Sequence, residues 1–145
     1  MNKDAQVTGN IGLYWTCYLL SRMGWNAMPT ARNARGVDII AYNHDCSRRI
    51  SIQVKTLSKK NPVPLGTSLN KIMGDFWVIV NNVTTSPVAY VLLPSEVKKL
   101  AHRGEKRRAS ILLAATVVVL HRRIPRSVEQ NRWTRMRRQI GSCWL

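Results

Sequence analysis

The feature that most restricts this chain is a pair of short β-branched segments separated by a turn. Gly36-Val-Asp-Ile-Ile-Ala-Tyr-Asn43 and Arg49-Ile-Ser-Ile-Gln-Val-Lys-Thr56 are both strand-like, and Asn43-His-Asp-Cys-Ser47 supplies turn residues between them. The arrangement predicts an antiparallel hairpin. Side chains alternate across a strand, so Ile50, Ile52 and Val54 share one face of the second segment, and Ser51, Gln53 and Lys55 share the other.

The flanking text extends this hairpin into a domain. Upstream, an apolar stretch reads as a helix from Asn10, as N-cap, to about Met23, with Gly24 as its C-terminal stop. Leu13, Cys17 and Leu20 define its packed face, Tyr14 and Tyr18 are expected to broaden it, and no charge appears between Asp4 and Arg22. Trp25 to Thr30 reads as a strand. Downstream, Leu57 to Gly66 reads as a loop. Phe76–Val80 and Val88–Leu93 read as two further strands, and Ser95 as the cap of a short helix, Glu96 to His102. Helix, several strands, then helix is an α/β pattern with a mixed sheet.

At 145 residues, 45% of them hydrophobic, the chain can bury one core. Its charge is lopsided: 23 Lys and Arg against 7 Asp and Glu, a formal +16. A surface of that sign attracts polyanions through steering and counterion release, so nucleic acid is the expected partner. The opening residues lack the apolar run of a signal peptide. The longest apolar stretch, 111–120, falls short of the roughly 20 residues needed to cross a bilayer, so no membrane association is expected. Cys17, Cys46 and Cys143, odd in number and widely spaced, define neither a zinc site nor a disulfide framework, and a cytoplasmic location follows as the expectation.

Asp38, Gln53 and Lys55 are the candidates for chemistry. Phosphodiester hydrolysis near neutral pH draws on a divalent cation that polarises the phosphate and acidifies water. Magnesium takes hard oxygen donors, and a neighbouring lysine stabilises developing charge. Asp38 on one strand, with Gln53 and Lys55 on one face of the next, could supply those groups. On spacing alone a solvated polar sheet face is the simpler account of them.

Gly36-Val-Asp38-Ile-Ile-Ala followed by Ile52-Gln-Val-Lys55, with fourteen residues between Asp38 and Gln53, resembles the core signature of the PD-(D/E)xK nuclease superfamily. The preceding helix, Gly24-Trp-Asn and Thr30-Ala-Arg-Asn33 are similar to the opening of that core, and the likeness covers roughly residues 8–102. The resemblance implies a restriction-endonuclease-like core, a central mixed β-sheet flanked by helices, with the site at one sheet edge. Asp38 would be the metal-binding carboxylate and Lys55 the catalytic lysine. Gln53 would stand in the second acidic position, the backbone carbonyl of Val54 would complete the ligands, and Mg2+ or Mn2+ would be the cofactor. The implied activity is metal-dependent DNA endonuclease; a DNA-binding module of the same fold without catalysis is the alternative. Two features depart from the family pattern: Gln53 carries no charge, and the opening helix lacks the glutamate that many members use, Asn10 being its nearest polar residue. Cutting both strands takes two sites, so a homodimer is expected.

Around this centre, Arg32, Asn33, Arg35, Lys59 and Lys60 are candidate DNA contacts, each also readable as a solvated loop residue. A third reading, a basic protein associated with membrane or RNA, requires Asp38 and Lys55 to be remote from each other. His44, Asp45 and Cys46 are adjacent in a turn and cannot readily converge on one ion. Trp15, Trp25 and Trp77 read as packing residues.

Residues 1–104 hold 13 basic and 5 acidic residues, net +8, and form the expected nuclease-like core. Residues 105–145 hold 10 and 2, again net +8, in a much shorter basic C-terminal segment. Two readings of that segment stand: 117–120 adds a strand and 127–140 forms a basic helix on DNA, or it is text from a shifted reading frame, with a charge that carries no functional information.

Overall fold

The structure, a computed structural model, describes residues 3–31, 36–59, 61–65 and 68–101, and the backbone of 114–115. Helix α1 (Lys3–Arg22) is followed by β1 (Asn26–Pro29), β2 (Ile39–Tyr42) and β3 (Arg49–Thr56). Next come β4 (Val63–Pro64), a 3-10 turn (Leu69–Lys71), β5 (Phe76–Asn81), β6 (Val88–Leu92), α2 (Pro94–Leu100) and β7 (Ala114–Ala115). This is an α/β chain with a five-stranded mixed sheet in the order β1-β2-β3-β5-β6. Pairing is antiparallel except between β3 and β5, which run parallel.

The hairpin expected between β2 and β3 is present, in the register Ile39↔Ile52 to Tyr42↔Arg49. Its turn is held by Asn43, whose Oδ1 accepts from Arg48 N at 2.8 Å and whose Nδ2 donates to Ser47 Oγ at 2.9 Å. Asp45 accepts from the Ser47 amide and hydroxyl, and those two bonds hold its carboxyl below the usual aspartate range. His44, Asp45 and Cys46 thus build a turn, and all three are exposed.

Parallel strands need a crossover of about a dozen residues or more. Residues 57–75 provide it, on the face opposite α1. One core lies beneath α1 and contains Leu20, Trp25, Ile39, Ile52 and Val78, with Trp15 and Val54 packed against it. The other lies beneath the crossover and α2 and contains Val63, Leu65, Ile72, Trp77, Ile79 and Val97. β5, an internal strand buried at every position, reads as a continuous apolar run because both of its faces are covered. The stretch expected to be loop, Leu57 to Gly66, includes β4, which pairs antiparallel with β7.

Three local expectations are corrected. Helix α1 begins at Lys3, so Asn10 lies in its middle and is not the N-cap; the apolar spacing of Val7 and Ile11 already belongs to the helix. Ser95 lies inside the first turn of α2 and is not its cap: Pro94 opens the helix, and Glu96 Oε2 accepts from the Leu93 amide at 2.9 Å. Tyr14 and Tyr18 do not broaden the packed face of α1. They are 63% and 56% exposed.

Gly24 does end α1, with φ +82°. Its amide donates to Ser21 O at 2.9 Å and the Trp25 amide to Leu20 O at 3.1 Å, a Schellman closure. Gly12 has a different purpose. A Cβ there would lie 2.0 Å from Thr56 Oγ1, so the glycine lets α1 rest directly on the end of β3. No helix among the described residues is long and apolar enough to cross a membrane.

Candidate functional site

β2 is shorter than β3, and the site forms where it stops. Pairing between them ends at Ile39↔Ile52, so residues 53–56 of β3 have β5 on one side and no β2 partner on the other. Asp38 sits one step beyond that last pair. Its amide donates to Ile52 O at 2.9 Å, and its carbonyl accepts from Thr30 N at 2.9 Å. The carboxylate continues the ladder in place of a strand: Oδ2 accepts from Val54 N at 2.7 Å and from Gln53 Nε2 at 2.7 Å. The Val54 carbonyl lies on the same edge of β3 as its amide, by the alternation of a strand.

Asp38 and Gln53 are thus joined directly, and Asp38 and Lys55 line one cavity at this end of the sheet. Gln53 is buried, and Asp38 and Lys55 are half-buried. Asp38, Val54 and Lys55 line a cavity of about 240 Å³ together with Thr56, with Gly9, Asn10 and Leu13 of α1, and with Thr30 and Ala31 beyond β1. The Lys55 ammonium lies 5.9 Å from the centroid of the Trp77 ring, a cation–π distance that draws it along the sheet face.

Two residues that were not among the sequence candidates for chemistry, one of them read as a helix cap, are placed at the site. Asn10, mid-helix and exposed, lines the cavity; the apolar spacing upstream of it was the available sign that the helix starts earlier. Thr30 lines the cavity as well, and its Oγ1 donates to Val37 O at 2.6 Å. That bond fastens both ends of the 31–37 connection beside Asp38.

Of the candidate DNA contacts, Lys59 is exposed in the connection after β3. Arg32, Asn33, Arg35 and Lys60 lie outside the described residues, as do the strand and helix expected at 117–120 and 127–140. Among the described residues no three His, Cys, Asp or Glu side chains gather into a metal cluster. The oxygens that could hold a cation at this end are one Asp38 carboxylate, the Gln53 amide and the Val54 carbonyl, hard donors of the kind magnesium accepts, with a single negative charge among them. A larger recess, about 490 Å³, lies at the other end of α1 beside Trp25, Tyr42 and His44, and no carboxylate lines it.

Comparison with known protein families, curated proteins and solved structures finds no match to this chain.

Proposed function

We propose that this chain is a metal-dependent DNA endonuclease with a restriction-endonuclease-like core, related to the PD-(D/E)xK nucleases. The observation that carries the reading is the Asp38 carboxylate. It is held by Val54 N and Gln53 Nε2 at the end of β2, in a cavity that Lys55 also lines. The element order agrees with it: a helix, an antiparallel meander, then a strand parallel to the third. When bound, Mg2+ or Mn2+ would polarise the scissile phosphate and acidify a water.

In this reading Asp38 and the Val54 carbonyl would hold the ion, and the Gln53 amide, once turned from its bond to Asp38, would add an oxygen. Lys55 neutralises charge developing on the phosphate, and Asn10 orients the phosphate or water from the α1 side. The basic surface draws DNA to the cleft in a salt-dependent way.

Incubating the full chain with supercoiled plasmid, with and without Mg2+ or Mn2+, tests this. Metal-dependent nicking is expected, reduced at least a hundredfold in Asp38→Asn and Lys55→Ala while DNA binding is kept. One observation favours a second reading. The Asp38 carboxylate already closes a strand end, and the Gln53 amide is its donor, so the arrangement can be purely structural and the chain a DNA-binding module without catalysis. That module would bind plasmid and leave it intact with either metal.

A further inference from the structure

Helix α1 is apolar on both sides. Gly12, Thr16 and Leu20 are buried against the sheet, and the contacts of the helix run to β1, β2 and β3. The opposite side carries Val7, Ile11, Tyr14 and Tyr18, exposed by 55%, 38%, 63% and 56%. Their spacing of four, three and four is the a/d seam by which one helix packs on another. Between Asp4 in the first turn and Arg22 in the last there is no charged residue. A solvent-facing helix surface ordinarily carries charge.

We propose that two copies of the chain pair through this stripe, with their α1 helices antiparallel about a two-fold axis. The stripe is complementary to itself in that direction. Reversed on its twin, it sets Val7 opposite Tyr18, Ile11 opposite Tyr14, and the Asp4 end opposite the Arg22 end. Each aliphatic side chain meets an aromatic, and opposite charges meet at both ends. A parallel pair would set Asp4 on Asp4 and Arg22 on Arg22. The Arg22 guanidinium already lies 5.8 Å from the Tyr18 ring centroid, at the end of the seam where the partner's Asp4 would arrive.

The area is sufficient. A fully buried tyrosine covers roughly 150–250 Å²; with the two tyrosines and two aliphatics of each copy exposed by 38–63%, covering all of what is exposed on both stripes would withdraw on the order of 1,000 Å², the lower bound for a specific interface. A membrane surface fits less well, since interfacial helices are rich in Lys and Arg on their polar face. An uncharged stripe gives nucleic acid no phosphate contacts.

Sedimentation equilibrium on the full chain tests the proposal by mass, independently of any cleavage. The parent should weigh twice its 16.5 kDa. Tyr14→Glu with Tyr18→Glu should give a monomer with unchanged circular dichroism, both positions being exposed. Asp4→Arg or Arg22→Asp alone should weaken association about tenfold, and the combined swap should restore it, because antiparallel pairing keeps opposite charges together. A parent that is monomeric at about 100 µM overturns the proposal. So does a dimer indifferent to the tyrosine changes, or a charge swap that does not recover. A monomer whose Tyr14 and Tyr18 resist nitration also overturns it, assigning the stripe to another segment of the same chain.

Discussion

Replacing Gly12 by alanine should destabilise this protein, although the same change in an ordinary helix would stabilise it. In a solvated helix interior Gly→Ala gains about 1 kcal/mol, from backbone entropy lost less on folding. At Gly12 the added Cβ would stand 2.0 Å from Thr56 Oγ1, 2.5 Å from Cγ2 and 2.8 Å from Cβ. Those atoms belong to a short β-branched side chain on a paired strand, so no flexible end can swing aside. Relief requires α1 to lift from β3 by an ångström or more, and overpacking of this kind costs typically 1–3 kcal/mol. With the helix-propensity gain offsetting part of it, we expect a net loss of about 1–2 kcal/mol, or roughly 4–10 °C in Tm for an ordered unit of this size. Urea unfolding of parent, Gly12→Ala, Thr56→Ala and the double variant measures it. The double variant should recover part of the loss, because Thr56→Ala removes the two closest atoms. A Gly12→Ala protein that melts higher than the parent, with no coupling to Thr56, would refute the close helix–strand approach.

Three further outcomes follow. Asp38→Ala leaves the Val54 amide and the Gln53 amide without their acceptor and should cost about 1–3 kcal/mol in urea, whereas Asp38→Asn, which still accepts from Val54, should cost less; equal stability of Asp38→Ala and parent contradicts the strand-end role. Gln53→Glu replaces the donor to Asp38 by a second carboxylate. It should lower Tm without metal and recover it in millimolar Mn2+, by the linkage of binding to folding; a Tm insensitive to Mn2+ counts against a cation site here. Burial pushes the Cys17 thiol up from its ordinary value. A raised folded value means the stabilising contribution is complete below the ordinary thiol range and is lost as pH rises through the shifted one. Cys17→Ala should therefore flatten the alkaline limb of the stability curve, and an unchanged limb would exclude the thiol as its source.

The parts legible from sequence were those governed by neighbours along the chain. Asn43 to Ser47 could do little but turn, so β2 and β3 had to pair, and the two-residue period of β3 placed Gln53 and Lys55 on one face with Val54 on the other. Gly24 announced the end of α1 because only a residue tolerant of positive φ closes a helix that way. The candidate site was readable to the same degree: Asp38, Gln53 and Lys55 are joined by one hairpin. What the tertiary structure decided involves distant residues. The parallel pairing of β3 with β5 spans the whole crossover and has no local signature. Spacing along α1 picked out Leu13, Cys17 and Leu20, which do pack on the core, but the apolar residues continue past that face, and Tyr14 and Tyr18 proved to be outside. Asn10 became part of the cavity only because Gly12, two residues further on, lets the helix sit against Thr56. Periodicity fixes where a side chain points relative to its own strand or helix; which surfaces then meet depends on packing between residues far apart in the chain.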